Sequence, residues 1–287
     1  MTKVDKGRAY AKALLAKLKV TGPADASAIA NQLQLDVNEM DVNGFDGALV
    51  RAKGMPLGAI VVRGSIRESG RKNFTVAHEI GHFVLPGHEN TEAVCTSDEV
   101  ANWSDAAKEL EREANEFAAE LLMPELAVQQ IIGRSEPSLT VIQKIASSCD
   151  VSLSAAAWRY CQMTGHRCAI VWSSPKRSSW CKRSQDSRFG VSLAGATRQG
   201  TFANDCLAGR EVPDCPQPVS ASLWLDSHNV STDALIWEQS KALPTYSSVL
   251  TLLWIKERIE IYSDDESTAL DELDPEQFTV NRQRWPR

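Results

Sequence analysis

Residues 71–85, RKNFTVAHEIGHFVL, place His78 and His82 four positions apart with Glu79 between them, inside a run of helical apolar spacing. On a helix, positions i and i+4 share a face one turn apart, so both imidazoles can reach one ion. Tetrahedral zinc accepts such a pair. Val76, Ile80, Phe83 and Val84 form the stripe for a core, which leaves His78, Glu79 and His82 turned toward a cleft. Gly81, a poor helix former, fits a position where another backbone or a substrate must approach closely. Five histidines in 287 residues give about 0.005 expected H-E-x-x-H matches per shuffled chain, so chance is a poor rival to the mechanism the motif carries.

Glu79 sits badly as a ligand beside its two neighbours, but it can hydrogen-bond a water held at the same ion. It is therefore read as the general base, taking a proton and later delivering it to a leaving amine. A third protein ligand is still required. His88 offers H-x-x-x-H-x-x-x-x-x-H spacing, but that pattern wants Gly where this chain has Leu85, with Pro86-Gly87 bending the chain one residue late. The rival lies in AAKELEREANEFAAELLMP, a helix whose Ala114, Phe117, Ala118, Leu121 and Leu122 make the buried stripe. Glu111 extends that stripe inward, and Asn115, one turn later, has the spacing to orient a ligating histidine. Glu111 is the expected ligand, with Glu113 as the alternative.

The rest of the chain divides by pattern. Ala11, Leu14, Leu15 and Leu18 mark one amphipathic helix and Ala26, Ile29, Ala30 and Leu33 another, separated by Thr21-Gly22-Pro23. FDGALVRAKGMPLGAIVVRGS fits a small sheet with hairpins. SLTVIQKIASSCDVSLSAAAWRYCQM, residues 138–163, reads as two short helices with Val151 as a staple and Ser152 or Ser154 as the second N-cap, the outline of a helix-turn-helix. From 131 to 165, Arg134, Lys144 and Arg159 stand against Glu136 and Asp150, a surplus of one positive charge. That surplus favours packing helices over DNA contact. The last third mixes short strands with Ser, Gly and Pro-rich connections, as a separate α+β unit would. Within it, VLTLLWIKERIEIY suggests a hairpin turning near Lys256-Glu257. Basic residues flank Trp172 and Trp180 between 167 and 188, and a hairpin rim with buried tryptophans explains them better than a single-strand binding face. The acidic stretch 263–277 reads as solvated surface.

Two stretches, RKNFTVAHEIGHFVL and EREANEFAAELLMP, resemble the ImmA/IrrE metallopeptidases, zinc-dependent proteins of bacteria and their phages. The resemblance spans residues of roughly 5–130. It implies His78, His82 and Glu111 as metal ligands, Glu79 as catalytic base, and zinc as the metal, with manganese the alternative. The implied architecture is α+β: a zincin-like peptidase domain over 1–133, a helix-turn-helix-like segment over 134–165 and a GAF-like α+β domain over 166–287. The implied activity is cleavage of a helix-turn-helix transcriptional repressor, releasing stress-response or mobile-element genes. The competing readings are a DNA-binding regulator with a vestigial metal site and the peptidase of a toxin–antitoxin pair. An open fourth position beside two His and one Glu suits catalysis rather than a closed structural site.

Composition agrees with an intracellular enzyme. Seven scattered cysteines with no C-x-x-C spacing suggest reduced thiols. No stretch approaches a membrane span, and the first twenty residues lack the apolar core of a secretory signal, so a cytoplasmic location is expected. A net charge of −6 argues against broad attraction to nucleic acid.

Overall fold

A computed structural model of the chain describes residues 5–42, 44–51, 58–88, 94–95, 105–174, 179–185, 187, 189–225 and 233–256. Helix α1 (Asp5–Leu18) buries Ala11, Leu14 and Leu15. Helix α2 (Ala26–Gln32) follows the Thr21-Gly22-Pro23 break, and the Asp25 carboxylate accepts from the Ser27 and Ala28 N–H groups. Those are two of the donors that a helix start leaves without an internal partner.

Four strands come next: β1 (Leu35–Met40), β2 (Gly47–Arg51), β3 (Gly58–Arg63) and β4 (Val94–Cys95), in the order β1-β3-β2-β4. The expected hairpin exists between β2 and β3, which are antiparallel, but β1 runs parallel to β3. Alternation of apolar residues sets which face of a strand is buried and carries no information on strand direction, so the crossover was not readable.

Helix α3 (Ser69–Val84) lies on this sheet, and α4 (Asp105–Leu122) lies on α3. A Cβ added to Gly81 would meet Phe117 Cδ1 at 3.1 Å and Ala114 Cα at 3.3 Å, so the missing side chain lets α4 come this close. Helix α1 crosses α4 more tightly still: a Cβ on Gly7 would lie 2.2 Å from the Glu113 carbonyl oxygen.

Helix α5 (Glu125–Ile132) ends at Gly133, whose φ of +53° is left-handed backbone that glycine adopts readily. Helices α6 (Leu139–Ser148) and α7 (Leu153–Met163) follow, with Ser138 and Ser152 as their N-caps. Their connecting turn rests on the first turn of α3. Ser69 Oγ donates to Asp150 Oδ1 at 2.6 Å, Asn73 Nδ2 donates to the Asp150 carbonyl at 3.1 Å, and a Cβ on Gly70 would strike Val151. Arg159 points into the protein, where it pairs with Glu120 and donates to the Met123 carbonyl. With Arg159 withdrawn from the surface, Arg134 and Lys144 only balance Glu136 and Asp150.

The last third forms a five-stranded antiparallel sheet, ordered β6-β5-β9-β8-β7. Its strands are β5 (Cys168–Ser173), β6 (Trp180–Arg183), β7 (Gln217–Ser220), β8 (Leu235–Leu243) and β9 (Ser248–Trp254). Helix α8 (Phe202–Leu207) accompanies them. The period of two assigns Cys168, Ile170, Leu250, Leu252 and Trp254 to the same core as α1–α7, and Ala169, Val171, Val249 and Leu253 to a second core with Trp224 and Ala203. β9 is central and buried along its length, paired with β5 on one side and β8 on the other. The far half of the hairpin expected around Lys256-Glu257 lies outside the described residues, as does the acidic stretch 263–277. Trp172 and Trp180 stand opposite one another on β5 and β6 and stack with centroids 6.1 Å apart, but both are half-buried rather than buried as the sequence suggested.

Candidate metal centre

Every side chain from Thr75 to His82 is buried, because α3 is enclosed by the first sheet on one side and α4 on another. Within that span the helical repeat turns His78 and His82 to one side, and their Nε2 atoms approach to 3.0 Å. Helix α4 brings Glu111 across: Oε2 lies 3.1 Å from His78 Nε2 and Oε1 lies 3.2 Å from His82 Nε2. Among the described residues, these three side chains form the one cluster of metal-ligating type, with their donor atoms within 4.8 Å of one another. Ligands about 2.0–2.1 Å from a tetrahedral zinc lie about 3.3 Å from each other. Two imidazole nitrogens and a carboxylate at this spacing therefore fit a divalent ion of the zinc type.

Both histidines are tied at their other nitrogen. His78 Nδ1 lies 3.0 Å from Asn115 Oδ1, the contact anticipated for Asn115. His82 Nδ1 lies 3.0 Å from His88 Nδ1. The sequence left His88 and Glu113 as alternative ligands, and the structure uses both elsewhere: His88 Nε2 is 3.2 Å from Glu113 Oε2, and Lys6 Nζ donates to that same oxygen at 2.6 Å. The reason is the bend after α3, where Gly87 at φ +88° turns His88 behind His82.

Glu79 is fully buried, against the start of β2. A Cβ on Gly47 would lie 3.0 Å from Glu79 Oε1 and 2.3 Å from Thr75 Cγ2. Gly47 therefore belongs to the site; its only signal in the sequence was a glycine opening an apolar strand. Arg51, four residues on along β2, donates to the His82 carbonyl and covers the Phe83 ring, locking this strand to the last turn of α3.

The charges of the pocket reinforce one another. Burial pulls the His78 pKa down, but the Glu111 carboxylate, with Glu79 and Asn115, outweighs it and the net shift is upward. Burial would raise Glu111, yet its bonds to His78 and His82 hold it well below the usual carboxylate range. For Glu113, burial is likewise overcome by Lys6 and His88, and the pKa is lowered.

Residues 30–160 match the peptidase M78 family, described as the IrrE N-terminal-like domain. Over 130 residues the chain is 26% identical to the radiation response metalloprotease IrrE of Deinococcus radiodurans, a match covering 45% of this chain and 38% of that protein. The chain thus spans well under half the length of this curated relative. A solved structure titled Mycobacterium tuberculosis transcriptional regulator superposes with a TM-score of 0.51 over 86% of each chain at 13% identity, a likeness of fold alone. The two sequence likenesses support the ImmA/IrrE family, and a metallopeptidase class for the domain that carries the cluster. Among the described residues no helix is long and apolar enough to cross a membrane.

Proposed function

We propose that this chain is a zinc-dependent endopeptidase that makes a cut in a helix-turn-helix transcriptional repressor. The observation that carries the reading is the convergence of His78 Nε2, His82 Nε2 and the Glu111 carboxylate beside the buried Glu79. A divalent ion held by those three side chains would supply Lewis acidity toward a peptide carbonyl and make a water acidic enough to be deprotonated near neutral pH. Glu79 takes the proton from the attacking water and returns it to the departing amine nitrogen. Asn115 keeps the His78 ring turned so that Nε2 faces the cluster. Gly47 leaves the room against the Glu79 carboxylate that any side chain would fill.

The choice of a repressor as substrate rests on the family resemblance. The GAF-like reading of 166–287 rests on the same resemblance and on an antiparallel sheet that carries a helix and a core of its own. Purified chain loaded with zinc and mixed with the repressor encoded beside its gene should yield two fragments. Glu79→Gln should bind zinc as the unaltered chain does and yield none; full cleavage by that variant would refute the role given to Glu79.

A further inference from the structure

The unexpected neighbour of the cluster is His88. It is fully buried, three residues beyond Leu85 at the end of α3, and its ring lies 5.0 Å from that of His82 with the planes tilted by 57°. Its two nitrogens face two different groups, Nδ1 toward His82 Nδ1 and Nε2 toward Glu113 Oε2. The Glu113 carboxylate is salt-bridged to Lys6, and Lys6 also donates to the Pro86 carbonyl at 2.9 Å, so the N-terminal helix pins both the acceptor and the turn that carries His88.

With an ion on His82 Nε2, one arrangement of protons satisfies this row. A carboxylate beside an ammonium group only accepts, so His88 Nε2 carries hydrogen and donates to Glu113. If His82 offers its Nε2 lone pair to an ion, its Nδ1 carries hydrogen. Two N–H groups cannot face each other at 3.0 Å, so His88 Nδ1 is bare and accepts. We propose that His88 is a positioning residue that fixes the tautomer and ring orientation of His82, and that Lys6 and Glu113 hold His88 for that task. The proposal rests on the metal reading of the cluster given above. It makes the two ligand histidines unequal: His78 is oriented by an amide one helix away, His82 by a row of three side chains reaching α1.

The test uses the full chain and reads zinc affinity by competition with a chelator, together with the absorption spectrum of the cobalt-loaded protein. Losing a partner of this kind costs about 10–100-fold in metal affinity. His88→Leu, which fills the space but accepts nothing, should show that loss and an altered cobalt spectrum. His88→Asn, whose Oδ1 can accept from His82 Nδ1, should recover most of the affinity. A role in packing alone predicts the reverse order, because leucine suits an apolar hole better than an amide does. Wild-type affinity in His88→Leu, or equal losses in both variants, would overturn the proposal and leave the peptidase reading intact. Unaltered chain that binds no metal would overturn both. Should His88→Leu fail to fold, Glu113→Gln, which keeps an acceptor but removes its charge, reads the same row: weakened zinc binding supports the proposal and unchanged binding contradicts it.

Discussion

Protons would compete with a metal ion for the same lone pairs in this pocket, and that competition has a calculable sign. In the metal-free chain His78 is raised, by Glu111 and Glu79 acting against burial. A raised histidine contributes stability that is complete below its unfolded value of 6.5 and fades as pH rises through its folded value. Glu111 is lowered, so its contribution is present above its unfolded value of 4.5 and disappears as pH falls through its folded value. Zinc needs His78 neutral, so its binding opposes the first of these trends. The gain in melting temperature on adding zinc should therefore grow as pH rises above 6.5, while the metal-free chain loses the His78 contribution over the same range. Calorimetry with and without zinc checks this; a gain independent of pH would exclude His78 as a ligand.

Helix crossings set the distances on which the pocket depends. At Gly7 the α1–α4 approach leaves no space for a methyl group, since the added atom would meet backbone rather than a side chain that can swing away. Gly7→Ala should cost about 1–3 kcal/mol or more in urea unfolding, and should weaken zinc binding through the neighbouring Lys6–Glu113 pair. Helices α4 and α7 are joined by Arg159 and Glu120, whose side chains are 1% and 2% exposed. Arg159→Leu would leave the Glu120 charge buried and uncompensated, a loss of about 3–5 kcal/mol. Replacing both residues with leucine should restore much of it. An Arg159→Leu chain as stable as the parent would contradict the ion pair. Much at this level was legible beforehand, because it depends on helical spacing: His78 with His82, Glu111 with Asn115, and the Ala114–Phe117–Leu121 stripe. What escaped depends on contacts that spacing does not encode. The parallel β1–β3 pair, Gly47 beside Glu79, and Lys6 bonded 107 positions away to Glu113 are of this kind. His88 was weighed as a ligand, but its place behind His82 escaped because it follows from the turn at Gly87 rather than from a helix.

The molecule as a whole shares its core across the segments that the sequence separates. Ile142, Ile145, Val151, Ala156, Ala157 and Tyr160 of the α6–α7 pair join the core that holds Ile80, Phe117 and Leu121, and the near face of the second sheet closes it with Ile170, Leu252 and Trp254. Removing 166–287 would uncover that apolar surface, so a fragment ending at 165 should melt well below the full chain and bind a hydrophobic dye. Equal melting of the two would show that the sheet is dispensable to the core. Family likeness and side-chain geometry meet at a single point, the candidate site for a divalent ion between α3 and α4. Crystals soaked in zinc and measured at its absorption edge should show an anomalous peak bonded to His78 Nε2, His82 Nε2 and a Glu111 carboxylate oxygen. A peak elsewhere, or none at those three atoms, would contradict the metallopeptidase assignment.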